Sequence, residues 1–156
     1  MFARNALRVA RPVMVRSYAT EASDKLRLSL SLPHETIYSS ADVVQVNISA
    51  TSGDMGILAN HVPSIESLKP GVLEVIEGSE TKKWFVSGGF ANVHPNNLLT
   101  VNAVEAYPLD SFSPEAIRSG LAEAQRVASG NGDATEKAEA QIEVEVYEAL
   151  QAALKA

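Results

Sequence analysis

The hydrophobic pattern of this chain changes its period near residue 112, and this change constrains the fold more than any other feature. Leu26, Leu28, Leu30 and Leu32 alternate with polar residues, and similar alternation recurs up to about residue 107. A period of two is typical of half-buried strands. From Ser113 onward, apolar residues recur every three or four positions, which is typical of amphipathic helices. The sequence therefore predicts an α+β protein in two parts.

The first part, residues 24–108, is predicted to be a β-sandwich. Strand-like runs cover residues 26–32, 44–50, 72–76, 82–87 and 98–106, with Val44 expected to face inward beside Val46. Turns are expected at residues 53–56, 78–80 and 95–97, which are rich in Gly and Asn. Many short strands separated by close turns favour a sandwich or flattened barrel.

The second part, residues 112–156, is predicted to be an α-helical hairpin. Ser113 and Pro114 suit a helix start, and the Gly-Asn-Gly-Asp sequence at 130–133 suits a turn before a second helix at about 135–154. The predicted seam consists of Ile117, Leu121, Ala124 and Ala128 on the first helix, and of Ala138, Ile142, Val146, Ala149, Leu150 and Ala153 on the second. This seam is mostly alanine, so we expect the hairpin to need the sandwich or a partner to stay folded.

Residues 1–18 have the pattern of a mitochondrial presequence. Four of the 13 basic residues precede Glu21, which is the first acid, and apolar residues lie between these four arginines. Such arginine-rich, acid-free segments are typical of presequences. Arg16-Ser17-Tyr18 resembles a matrix-peptidase cleavage site, which predicts a mature chain that begins near Ala19, with cleavage no later than about residue 22. A disordered basic arm is the alternative.

Composition excludes several function classes. All 19 acidic residues follow the four arginines, so the remaining body is acidic and unsuited to nucleic acid. The chain has no cysteine, and no run approaches the roughly 18 apolar residues of a transmembrane helix. His34, His61 and His94 lack metal-ligand spacing, and neither a nucleophile elbow nor a phosphate-binding loop is present. We therefore predict no catalytic, cofactor-binding or metal-binding residues.

Two segments carry a resemblance to a known family. The first signature segment, residues 53–71, contains Gly-Ile-Leu after a glycine-rich turn, then His-Val-Pro, then Leu-Lys-Pro-Gly. The second signature segment, residues 86–93, contains Ser-Gly-Gly-Phe at the end of a strand. The chain resembles the family formed by the delta subunits of mitochondrial ATP synthases and the corresponding bacterial and chloroplast epsilon subunits. The matching positions are Gly53, Gly56, His61, Pro63, Pro70, Gly71, Ser87, Gly88, Gly89 and Phe90.

This resemblance implies a fold and a function. Family members have a ten-stranded antiparallel β-sandwich followed by a helical hairpin. They are non-catalytic central-stalk (rotor) subunits that bind the gamma subunit, the c-subunit ring and, in mitochondria, a small epsilon subunit. We therefore expect a protein peripheral to the matrix side of the mitochondrial inner membrane. By motif position, a turn at Asp54 and Met55 is expected to face the c ring.

Two other functions remain open at this point. The tail could act as a nucleotide-responsive inhibitor, because bacterial members that bind ATP carry a closely spaced acid and arginine at the start of the first tail helix. Here Asp110 and Arg118 lie eight residues apart with Pro114 between them, which disfavours that function. The third hypothesis is an unrelated small matrix enzyme built on a β-sandwich.

Overall fold

The computed structural model describes residues 25–155, so the predicted presequence lies outside the described residues. Ten strands are followed by a short 3-10 turn at Leu109–Ser111 and two helices. The strands are β1 (Leu26–Ser31), β2 (Thr36–Val43), β3 (Gln45–Ala50), β4 (Gly53–Leu58), β5 (Ser64–Leu68), β6 (Gly71–Glu77), β7 (Glu80–Val86), β8 (Gly89–Val93), β9 (Leu98–Ala103) and β10 (Ala106–Pro108). The helices are α1 (Pro114–Ala128) and α2 (Ala134–Ala153). The predicted order, ten strands and then a helical hairpin, is confirmed.

The strands form two layers that are joined through β3. The first layer has the order β10-β7-β6-β3-β4, and the second has the order β5-β8-β9-β1-β2. The layers join where Ala50 at the end of β3 pairs with Leu68 of β5. Among the described strands, β1 and β9 pair in parallel, which departs from the antiparallel expectation. Parallel neighbours cannot be joined by a tight turn, and here the seven intervening strands connect them.

Inward-facing aliphatic side chains of both layers fill the core. Leu26, Leu28 and Leu30 of β1 are buried, as their alternation predicts. The prediction that Val44 faces inward is wrong, because 53% of its surface is exposed. It lies in the bend before β3, so the inward alternation begins only at Val46.

Both helices begin at capping residues. The Ser113 hydroxyl accepts a hydrogen bond from the Ala116 amide at 3.4 Å. Asp133 and Glu136 form a capping box, in which an Asp133 carboxylate oxygen accepts from the Glu136 amide at 2.8 Å. These caps satisfy amides that the first turn of a helix leaves unpaired. They confirm the predicted start of the first helix and the turn before the second.

The seam of α2 differs from the predicted one. Its buried residues are Ala140, Val144 and Leu150, whereas Ile142 is 63% exposed. Because Ile142 is two residues from Ala140, it projects from the opposite side of a helix with 3.6 residues per turn. Ala138, also predicted for the seam, is exposed as well. The predicted seam of α1 is confirmed, since its four members are buried or half-buried.

The hairpin packs on the outer face of the first layer. Phe85 of β7 projects from that face and is buried in a cluster with Ile117 of α1 and Leu150 of α2. The Phe112 ring, in the segment before α1, meets Phe85 edge to face with 5.7 Å between ring centroids. The hairpin therefore covers Phe85 on this outer face, while its neighbour Tyr107 stays 49% exposed.

Candidate interaction surface

Two of the described histidines make local hydrogen bonds, and their surroundings decide what kind of site they could form. No group of three or more His, Cys, Asp or Glu side chains there is arranged to hold a metal ion. His61 bonds through Nδ1 to the Val62 carbonyl at 2.8 Å, and His94 bonds through Nε2 to the Thr100 hydroxyl at 3.2 Å. The candidate site is therefore sought on the exposed surface of the sandwich.

Among the described residues, neither helix has the length and apolar character needed to cross a membrane.

The predicted turn at Asp54 and Met55 is wrong, because both residues lie in β4. Ala50 pairs with Gly53, so the turn consists of Thr51 and Ser52. Gly53 enters β4 at a φ of +136°, which a residue with a Cβ rarely adopts.

The alternation of β4 separates the two residues of the predicted site. Met55 faces inward, is half-buried and packs against the core. Asp54 faces outward and is exposed, with one carboxylate oxygen 3.6 Å from the Lys69 amino group. Of the two residues of the predicted site, Asp54 is the one whose side chain projects into solvent.

The loop between β4 and β5 carries His61 and Pro63 of the first signature segment. The His61 amide donates to the Leu58 carbonyl at 3.3 Å, and the Asn60 amide donates to the side-chain oxygen of Asn97 at 2.7 Å. These bonds tie the loop to β4 and to the turn before β9. Pro63 is exposed and His61 is half-buried, so the loop has a fixed shape and an open surface.

Glycines of both signature segments allow strands to approach closely. A Cβ on Gly89 would run into the Asn102 carbonyl of β9, and the φ of Gly89 is +140°. A Cβ on Gly71 would lie 2.6 Å from the Cβ of Ser49 on β3. Ser87, Gly88 and Pro70 are half-buried beside them. These signature positions therefore shape the sandwich, whereas Phe90 lies on its surface.

A polar network covers another part of the outer face of the first layer. The Asn47 side-chain amide donates to a Glu74 carboxylate oxygen at 2.8 Å, and the Lys83 amino group lies 3.2 Å from the other oxygen. The hydrogen bond from Asn47, followed by that from Lys83, lowers the pKa of Glu74 below its ordinary value. These paired polar groups form the part of the face that the hairpin leaves open to solvent.

Ile65 and Phe90 form an exposed apolar patch on the second layer, here called the Ile65–Phe90 face. Ile65 of β5 is 73% exposed and Phe90 of β8 is 59% exposed. Ile65 pairs with Asn92 while Phe90 pairs with Ser67, so the two are diagonal neighbours on one side of the sheet. Diagonal neighbours are about 7–8 Å apart, within reach of one binding partner.

Sequence reasoning singled out Phe90 but missed Ile65. The alternation of β5 indicates that Ile65 faces outward, because Leu68 faces the core and Ile65 lies three residues before it. Residues an odd number of positions apart in a strand face opposite sides. Asp110 and Arg118, considered for nucleotide binding, are both exposed, and Asp110 lies in the 3-10 turn before α1.

Both parts of the chain match known family models. Residues 25–108 match the β-sandwich domain of the ATP synthase delta/epsilon chain. Residues 112–152 match the C-terminal domain of the fungal epsilon subunit of F1F0-ATP synthase.

Similar proteins cover nearly the whole chain. The mitochondrial ATP synthase subunit delta of Agaricus bisporus is 69% identical over 139 residues, which cover 89% of this chain and 85% of the relative. The subunit delta of Neurospora crassa is 59% identical over 160 residues, covering 98% of this chain and 96% of the relative.

A solved structure shows the same architecture. A chain in the cryo-EM structure of the Euglena gracilis mitochondrial ATP synthase, OSCP/F1/c-ring in rotational state 1, superposes with a TM-score of 0.82 at 30% identity. The match covers 99% of this chain and 96% of that one. With two matching family models and relatives aligned over most of their length, the chain belongs to the delta/epsilon family of ATP synthase subunits, which are non-catalytic stalk subunits.

Proposed function

We propose that this chain joins the gamma subunit to the c-subunit ring on the matrix side of the mitochondrial inner membrane and transmits rotation between them. Family membership and the likeness to a chain solved within an F1/c-ring assembly support this function. In the same proposal, the small epsilon subunit packs against this chain within the central stalk.

The two-layer body suits a mechanical role. Torque passes through a subunit without slip only if the subunit does not deform and is held at more than one place. Strand β3 ties the layers together through pairs with β4, β5 and β6. A close-packed core of this kind has low compressibility. The sandwich can therefore act as a stiff connector.

The single observation that carries the proposed gamma contact is the difference between the two outer faces. On the first layer, Phe85 is buried beneath the hairpin. On the second layer, Ile65 and Phe90 have no covering element among the described residues. Exposed apolar patches rimmed by polar residues mark interaction sites. We therefore assign the Ile65–Phe90 face to gamma.

Paired substitutions on this face test the assignment. Ile65→Ser and Phe90→Ser should each weaken binding to gamma, because burial of a large apolar side chain contributes about 1.5–3 kcal/mol. At about 1.4 kcal/mol per tenfold, this corresponds to a roughly tenfold or larger rise in Kd. The measurement is the affinity of the full mature chain for purified gamma.

Ile142→Ser is the matched control, since Ile142 is similarly exposed but lies on α2. It should leave gamma binding unchanged. Unchanged affinity in both face variants, with the fold intact by circular dichroism, would move the gamma contact elsewhere.

We further propose that residues 1–18 are removed on import, leaving a β-sandwich domain at 24–108 and a hairpin at 112–156. The arginine pattern before Glu21 supports this processing. N-terminal sequencing of the subunit isolated from mitochondria should begin near Ala19. Recovery of an intact Met1 would show that the segment is a retained basic arm.

A further inference from the structure

The turn between α1 and α2 contains the one Asn-Gly step of the sequence, Asn131-Gly132. Both residues are exposed. Within residues 25–155, neither the Asn131 side chain nor the Gly132 amide makes a hydrogen bond. We infer that Asn131 is a site of spontaneous deamidation, a chemical modification of the hairpin tip that is independent of the rotor function.

The reaction needs only water as a co-reactant. The Gly132 backbone nitrogen loses its proton and attacks the side-chain carbonyl carbon of Asn131, forming a new C–N bond. The bond from that carbon to the side-chain nitrogen breaks, and this nitrogen leaves with a proton as ammonia. Water then opens the cyclic imide at either carbonyl, giving aspartate or isoaspartate. No electron is gained or lost.

Glycine at position 132 favours this attack because it has no Cβ to shield its nitrogen. A Cβ there would meet a carboxylate oxygen of Glu136, so a larger residue would require the Glu136 side chain to move. Because the Gly132 amide makes no hydrogen bond within the described residues, it can turn toward the Asn131 side chain without breaking one. The two features place an unhindered nucleophile directly after an unrestrained asparagine.

Two of the other described asparagines, Asn47 and Asn97, are restrained by side-chain hydrogen bonds. The Asn47 side chain donates to Glu74 and accepts from Gln45 within β3. The side-chain oxygen of Asn97 accepts from the Asn60 amide. Asn47, Asn60 and Asn97 precede Ile48, His61 and Leu98, whose side chains hinder the following amide. Asn131 should therefore react first.

The products affect the start of α2 differently. Aspartate at 131 places a negative charge near the positive end of the helix, which is favourable. Isoaspartate adds one carbon to the main chain two residues before the Asp133 cap. This change displaces the backbone that positions the capping box.

The test is incubation of the purified full chain at mildly alkaline pH, followed by peptide mapping and enzymatic methyl labelling of isoaspartate. Asn131 should convert at least an order of magnitude faster than Asn60 or Asn97, and isoaspartate label should appear in the peptide containing residue 131. Asn131→Gln, which retains Gly132 and the capping box, should abolish this label. Conversion at Asn131 no faster than at the other two asparagines would overturn the inference.

Discussion

Phe85 and Phe90 lie five residues apart on consecutive strands, and they have opposite environments. Phe85 is 4% exposed beneath the helical hairpin, whereas Phe90 is 59% exposed on the other layer. Alternation along the chain predicts that each lies on a face of a sheet. It does not predict which face another element will cover, because that depends on contacts distant in sequence. For the same reason, the strand register places Ile65 on an outward face but does not show that this face stays uncovered.

Asp54 carries the prediction that belongs to the residue scale. We propose that its outward carboxylate, next to the β3–β4 turn, faces the c ring. Asp54→Arg should reduce the amount of c ring that co-purifies with the complex, because the substitution reverses the charge at the contact. The exposed ion pair with Lys69 contributes about 0–1 kcal/mol, so the fold should keep its stability within that range.

Glu80→Arg provides the matched control for Asp54. The register of β3 with β6 places the β6–β7 turn at the opposite end of the sandwich from the β3–β4 turn. Charge reversal at Glu80 should leave c-ring recovery unchanged. Equal recovery with Asp54→Arg and wild type would exclude Asp54 from that contact.

At the scale of elements, local patterns predicted the kinds of structure well but placed some boundaries wrongly. The Ser113 cap and the turn at 130–133 were predictable because capping and turn chemistry are local. The β3–β4 turn was placed two residues late, since Gly53 and Gly56 both look like turn residues while strand pairing assigns both to β4. The α2 seam was misplaced because Val and Ile occur on both sides of that helix.

Phe85→Ala should release the hairpin from the sandwich. Truncation of a buried Phe typically costs about 3–5 kcal/mol, and here the loss falls on the contact between hairpin and sandwich. Because the seam between the helices is rich in alanine, the released hairpin should be less stable. Amide hydrogen exchange in α1 and α2 should therefore rise while exchange in β1 and β9 changes little.

Val75→Ala is the control, since Val75 is fully buried in the core of the sandwich rather than against the hairpin. It should lower the stability of the sandwich without a selective rise in the helices. Slow exchange in both helices of Phe85→Ala would show that the hairpin is stable without this contact.

At the scale of the whole molecule, the two layers and the hairpin divide the surface into regions with different roles. The hairpin covers the Phe85 region, the Asn47–Glu74 network makes the neighbouring area polar, and the Ile65–Phe90 face stays open. This arrangement fits a connector with a stiff core and an attachment surface. The signature glycines made the family recognisable from sequence, but the proposed attachment surface depends on the packing of the layers, which the sequence pattern does not show.

Direct observation of rotation tests the central claim. The chain has no cysteine, so Ser79→Cys in the exposed β6–β7 turn provides a unique site for a visible probe. The catalytic part of the complex is fixed to a surface, and ATP is added. The probe should rotate together with one attached to gamma, and stop when hydrolysis is inhibited. A probe on this chain that stays still while gamma rotates would contradict the assignment to the rotor.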